Sequence, residues 1–409
     1  MSTQSFTRKK SKLFLPHSLK SGDAPLLITI ITLVSFGLLM LYSASVDYSV
    51  EILGEAPAYM FKRQLLWLAI GIVIAILLSH LDYHYWRKLS VFIMLGTIVA
   101  LIAVLFIREL RLGAVRTFYN GSIQPSELAK VVIVIYLTVW LYAKRDLLHD
   151  IKLGLIPLAI ILGVVGGLIF LQPDLSATAT IFILGGILFF LAGADLKQLI
   201  ILIFLALLVA WLIVQVSATG QERIAFYRLG LEDPTHASYH VRRSLEAIVN
   251  GGVFGRGIGL SATKLTGLPV PPTDSIFAVV AEEFGIVGAS ILILLYANLV
   301  WRGLVIAHRA PDMLGSLLAT GLVFWIGIEA LINMTVMVGL LPFAGNALPF
   351  FSAGGSSLVT SLMAIGILYN ISRQRGEASQ LDENRRAYSA VADLRRRNRR
   401  RGVSRASRS

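Results

Sequence analysis

The chain has 409 residues, 56% of them hydrophobic and only 15% charged, with no cysteine. A water-soluble protein of this length needs more polar surface to cover its core, so lipid must solvate much of the chain; the missing cysteines exclude disulfides, iron–sulfur clusters and thiol catalysis together. The formal charge of +13 sits almost wholly at the ends, where Met1 to Asp23 holds five basic residues against one acid and Arg373 to Ser409 holds twelve against four.

Basic tails beside apolar spans are the pattern of cytoplasmic ends that face an anionic leaflet. The run Arg395, Arg396, Arg397, Asn398, Arg399, Arg400, Arg401 is read as part of such a tail, with no nucleic-acid partner. Residues 1–24 are expected to form a basic cytoplasmic N-terminal tail, and 373–409 a disordered, basic cytoplasmic C-terminal tail.

Between the tails, residues 25–372 read as an all-α, polytopic transmembrane domain of about ten helices. Apolar runs occur at Pro25–Ser45, Gln64–Ser79, Leu89–Ile107, Leu128–Tyr142 and Gly154–Leu171. They continue at Leu175–Gly193, Gln198–Ser217, Ser275–Val300, Gly315–Val338 and Gly355–Ile371. Several are shorter than the roughly 20 residues a crossing requires, so their ends must extend into the loops. Pro25–Ser45 is too long for a signal-peptide core and is expected to stay as an anchor. An even count puts both termini on one side, and Arg87, Lys88, Lys144, Arg145, Lys152, Lys197, Arg302 and Arg309 all fall in loops on that side. The positive-inside rule makes it the cytoplasmic face of a multi-pass protein of the cytoplasmic (inner) membrane.

One long connection, residues 218–274, lies on the opposite side and is expected to be an extracytoplasmic loop. It carries Arg223, Arg228, Arg242, Arg243, Arg256 and Lys264, and cations kept outside the cell point to an anionic ligand. Gly255-Arg256-Gly257-Ile258-Gly259 lacks the strand and helix of a nucleotide loop and reads as a flexible turn.

Three outer junctions share one design, in which a proline turn delivers an acid to the start of a helix: Gln124-Pro125-Ser126-Glu127, Gln172-Pro173-Asp174-Leu175 and Pro271-Pro272-Thr273-Asp274. Helix capping explains any one of them, since proline and acids both suit a helix N-terminus. Three on one face, beside a basic loop, suggest a polar cavity instead. Glycan transfer needs a base for the attacking hydroxyl and cations or a metal for the departing diphosphate. Arg223, Arg228 and Arg243 suit bidentate phosphate contacts, with lipid headgroups as the plain alternative. Within the spans, Lys130, Glu282, Glu283 and Glu329 need partners, and an ion pair of Glu282 or Glu283 with Lys130 is one solution.

The motifs resemble those of the SEDS family (shape, elongation, division and sporulation), whose members FtsW, RodA and SpoVE are peptidoglycan glycosyltransferases. They are Tyr42-Ser43-Ala44-Ser45, Gln124-Pro125-Ser126-Glu127-Leu128-Ala129-Lys130, Gln172-Pro173-Asp174-Leu175 and Thr273-Asp274-Ser275-Ile276-Phe277-Ala278. Ala281-Glu282-Glu283-Phe284-Gly285, Asn333-Met334, Gly339-Leu340-Leu341-Pro342 and the stretch from Leu348 to Ser357 complete the set. Departures from the family pattern are Ser275, Pro271 with Pro272, Ser176, Ala353 and Glu329.

The resemblance implies the SEDS fold and a catalytic role for Asp274, which would deprotonate the 4-hydroxyl of an acceptor lipid II for attack on the donor. Substrate contacts are then expected from Arg116, Glu127, Lys130, Asp174, Arg223, Arg228, Arg243, Lys264, Glu283 and Ser356. A divalent cation, Mg or Mn, near the diphosphate fits this chemistry, with its ligands unassigned. Implied partners are lipid II, a class B penicillin-binding protein and other divisome proteins. Gly354-Gly355-Ser356-Ser357 favours an FtsW-like role in cell division over a RodA-like role in elongation. A lipid II flippase is the alternative from another class, although a transporter would place its key acids near the midplane.

Overall fold

The computed structural model describes residues 22–107 and 124–374, the side chains of residues 107, 213 and 216 excepted. Arg116 and all but residues 22–24 and 373–374 of the two basic tails fall outside these residues. The described residues are helical with no strand, as expected for a chain that must satisfy its backbone inside lipid.

Seven helices run in order: α1 Ala24–Glu51, α2 Tyr59–His80, α3 Trp86–Ile107, α4 Pro125–Lys144, α5 Ile156–Phe170, α6 Leu175–Leu191 and α7 Leu196–Val216. α8 Ala218–Glu232 and α9 Tyr239–Gly251 follow, then α10 Ile276–His308, α11 Met313–Met337 and α12 Gly355–Gln374. All ten expected spans are helices, and eight are long and apolar enough to cross a membrane. The other two, α6 and the apolar part of α7, are shorter: 17 residues rise only about 26 Å. The connection 218–274 is not an open loop, since α8 and α9 occupy much of it.

The centre of the bundle is α4, α11 and α12, whose apolar stretches are the most buried. Their faces are closed by small residues: a β-carbon at Gly321 would stand 2.7 Å from Val134 of α4, and one at Gly366 would stand 2.5 Å from the Ala75 carbonyl of α2. Such close approach is how helices associate where lipid removes the hydrophobic drive. α2 fully buries only Gln64, Gly71 and Ser79; Leu68, Ala75 and Leu78 pack against the core, while Leu66, Val73, Ile76 and Leu77, like Phe92, Phe106, Leu207 and Leu294, are exposed as lipid-facing side chains are. At the end that bears the chain termini, Asp23 caps α1 through Leu26 N (2.9 Å) and pairs with Arg302 of α10 (2.5 Å).

α10 is broken near its N-terminal end, where Gly285 has φ 68° and ψ −166°. A break inside a membrane leaves amides and carbonyls without partners. Here the segment after α9 supplies them: Arg256 N and Gly257 N donate to the Glu282 and Glu283 carbonyls, while Ile286 N and Val287 N donate to Gly252 and Val253, all at 3.0–3.1 Å. Gly255 (φ +81°) is required at the crossing, because a β-carbon would lie 2.2 Å from the Glu283 carbonyl oxygen. The expected flexible turn is therefore a packed backbone splice.

Candidate active site

Asp274 is half-buried and stands at the head of α10, held by its own main chain. Three successive carbonyls are taken by groups from the other side of the rim: Pro272 O by Ala353 N (2.7 Å), Thr273 O by Ser352 Oγ (2.6 Å) and Asp274 O by Asn333 Nδ2 (3.0 Å). Asn333 also donates to Asn346 O (2.6 Å), and Asn346 Nδ2 to Glu329 O (3.1 Å). Val270 enters the turn at φ +44° and Phe350 leaves the facing loop at φ +68°, conformations that a β-branched or bulky side chain adopts only when its surroundings impose them. The cap position of α10 belongs to Ser275, whose hydroxyl turns away to Pro269 O (2.7 Å).

The acid of the second junction does cap its helix. Asp174 Oδ1 accepts from Ala177 N (3.1 Å), while Oδ2 accepts from Gln124 Nε2 (3.0 Å) and Ser126 Oγ (3.1 Å) across to the first junction. Gln124 N donates to Ser356 Oγ (2.8 Å), and Ser176 Oγ lies 3.5 Å from Gly345 O. Gly345 in turn faces Asp274. The junctions at Glu127, Asp174 and Asp274 thus meet in one polar network with the 343–356 segment.

Lys130 is fully buried between Glu127 (2.8 Å) and Glu329, with the Trp325 ring 5.8 Å away. Its carboxylate partners are these two, not Glu282 or Glu283 as one sequence reading allowed. Glu283 accepts from Ser43 Oγ (2.5 Å) and pairs with Lys264 (3.3 Å), whose ammonium also reaches Ser43 O (3.1 Å). Glu282 holds the turn after the splice, accepting from Ser261 Oγ (2.5 Å), Ala262 N (3.2 Å) and Thr263 Oγ1 (2.9 Å). The two adjacent glutamates serve different walls, as neighbouring helix positions must.

Of the loop arginines, Arg223 lies over the Phe343 ring at 6.0 Å, two residues from Gly345. Arg228 is exposed on α8. Arg243 ties α9 to the next turn, donating to Thr266 O (2.5 Å) and Oγ1 (2.7 Å) and pairing with Glu246. Sequence reasoning missed His240, which stacks on Phe343 at 4.1 Å and 22°. Burial first, and the Arg223 charge second, hold its imidazole below the usual histidine range. The signal was available: Tyr239-His240 opens the apolar stripe of α9, with the histidine two residues after Ser238 at the N-cap position. Among the described residues no three His, Cys, Asp or Glu gather closely enough to hold a metal ion, so Mg or Mn would depend on diphosphate oxygens for most of its ligands.

Long apolar helices around an acid-rich polar rim define a polytopic membrane protein with a site at one end of its bundle. A family model described as FtsW/RodA/SpoVE cell cycle protein matches residues 24–377. Stage V sporulation protein E of Bacillus subtilis is 36% identical over 86% of this chain and 97% of its own. A probable peptidoglycan glycosyltransferase FtsW of Trichlorobacter lovleyi is 36% identical over 87% and 94%. Among solved structures, a chain of a peptidoglycan synthase complex aligns with a TM-score of 0.71 at 26% identity, covering 87% of this chain and 98% of that one. Thermus thermophilus RodA, a rod shape determining protein, aligns at 0.64 and 25%, covering 88% and 99%. The chain belongs to the FtsW/RodA/SpoVE family of peptidoglycan glycosyltransferases.

Proposed function

We propose that the protein polymerises lipid II into glycan strands, with Asp274 as the general base, on the membrane face away from its termini. Asp274 takes the proton of the acceptor sugar's 4-hydroxyl as that oxygen bonds to the donor's anomeric carbon. The bond from that carbon to the undecaprenyl diphosphate breaks, and the electron pair leaves with the diphosphate. Arg223, beside the same 343–345 segment that faces Asp274, supplies positive charge for the leaving group. Lys130, Glu127 and Asp174 fix the rim around the acceptor.

The observation that carries this reading is the placement of Asp274. It is a half-buried acid at the mouth of the polar network, positioned by three main-chain bonds. Orientation is supported by the basic residues Arg87, Lys144, Arg145, Arg302 and Arg309, all at the opposite end. The names FtsW and SpoVE among relatives at 36% identity, against RodA at 25%, favour a division role. Similarity to a chain of a peptidoglycan synthase complex supports a crosslinking partner, a class B penicillin-binding protein.

Lipid II polymerisation by purified Asp274→Asn is the test. Asparagine keeps the shape and cannot take the proton, so a folded protein that makes no strands is expected. Strands at the wild-type rate would remove Asp274 as the base.

A further inference from the structure

At the end of the bundle opposite Asp274, two guanidinium groups lie over one aromatic ring: Arg87, in the first turn of α3, at 4.5 Å from the Tyr142 centroid, and Arg145, just after α4, at 5.3 Å. A cavity of about 210 Å³ begins at Val91, one helical turn along α3 from Arg87. Its walls include Val91, Leu95 and Ile98 of α3, Tyr136 of α4, and Ile160 and Val164 of α5. Arg87 continues the α3 wall, because positions 87, 91, 95 and 98 fall on one helical stripe and the step from 87 to 91 is about 6 Å.

We propose that this is a binding site for an anionic phospholipid of the leaflet opposite Asp274, with the headgroup phosphate on Arg87 and Arg145 and an acyl chain in the cavity. The apolar walls give water too few hydrogen-bond partners. Val91, Leu95, Ile160 and Val164 are exposed on the surface that faces lipid, so hydrocarbon is the available filling. Among the described residues the acid paired with Arg145 is Asp146, 3.7 Å from Nε, with the arginine about half exposed and the aspartate largely so, a pair that water screens and a phosphate displaces. Basic pockets between membrane helices select anionic headgroups, and arginine meets phosphate bidentately. A bound lipid would fasten α3 to α4 and α5 where their ends meet.

The test is native mass spectrometry of the full chain in detergent, titrated with phosphatidylglycerol or, separately, phosphatidylcholine of the same chains. The wild type is expected to retain phosphatidylglycerol selectively. The pair Arg87→Gln with Arg145→Gln should weaken retention by roughly 30-fold, and Val164→Trp, which fills the cavity and leaves every charge, should also abolish selective retention. Size exclusion and circular dichroism confirm that each variant is folded; should the arginine pair fail to fold, the tryptophan variant decides alone. Equal retention of the two lipids overturns the site, as does an equal loss from Lys88→Gln with Lys144→Gln, which would mark a diffuse basic surface. Displacement of the lipid by sn-glycerol 1-phosphate at matched concentration would also overturn it, in favour of a soluble anion.

Discussion

Gly345 faces the carboxylate of Asp274 so closely that a methyl group there would stand 2.7 Å from Oδ2. The obstacle is the tip of a side chain, which can swing, and not a fixed backbone. Gly345→Ala is therefore expected to change unfolding stability by less than about 1 kcal/mol while moving the acid off its position, where an error near 1 Å costs about 100-fold in rate. Polymerisation assays beside thermal unfolding separate the two effects. A wild-type rate would mean that the carboxylate acts from another rotamer.

Lys130 stands between two buried carboxylates, so removing it leaves like charges facing each other out of water. Lys130→Met is expected to destabilise the protein by about 3–5 kcal/mol. Glu329→Gln, which leaves one acid to one base, should shift stability by less than about 1 kcal/mol in either direction. Thermal unfolding in detergent measures both, and an unaltered Lys130→Met protein would show that the three groups are not charged together.

The depressed imidazole of His240 predicts a loss of stability on the acid side. Folded protein binds this proton less readily than unfolded chain, so the contribution is present above the unfolded value of about 6.5 and disappears as pH falls through the lower folded value. His240→Gln should flatten the fall of melting temperature between about pH 7 and pH 5. Parallel curves for variant and wild type would exclude His240 as the source.

At the splice in α10, Gly255→Ala introduces both a left-handed alanine and a contact of 2.2 Å with the Glu283 carbonyl, whereas Gly259→Ala introduces the left-handed alanine alone, in open space. The first is expected to lower stability by at least about 2 kcal/mol and the second by about 1 kcal/mol. Equal losses would show that the crossing tolerates a side chain.

The ten spans were legible because hydropathy is a local property and each run announces itself. The spacing of Glu127 and Lys130, three residues apart on one helix, allows their pair, although the sequence reading offered Lys130 to Glu282 or Glu283; the third member, Glu329, lies 199 positions from Lys130, and no spacing rule reaches that far. α9 was overlooked although Val241, Ser244, Ala247 and Gly251 mark its buried face at helical spacing, because the many charges of the connection resemble a loop. The break at Gly285 was invisible for another reason: a glycine inside an apolar helix is unremarkable until the distant segment that accepts its broken bonds is known. At the rim, the three proline junctions pointed to one site, while the role of Asn333 and Ser352 in fixing Asp274 depends on carbonyls, which carry no residue signature.

The splice also sets what kind of change this region can absorb. Its bonds run from peptide to peptide, so the side chains of Val253, Phe254 and Arg256 can be exchanged without altering how the head of α10 is held, whereas Gly252, Gly255 and Gly257 all have positive φ and resist exchange. Inserting or deleting a single residue there would shift every donor past its acceptor and rotate the acid-bearing turn with it. Residue count along this stretch is consequently a stricter requirement than residue type.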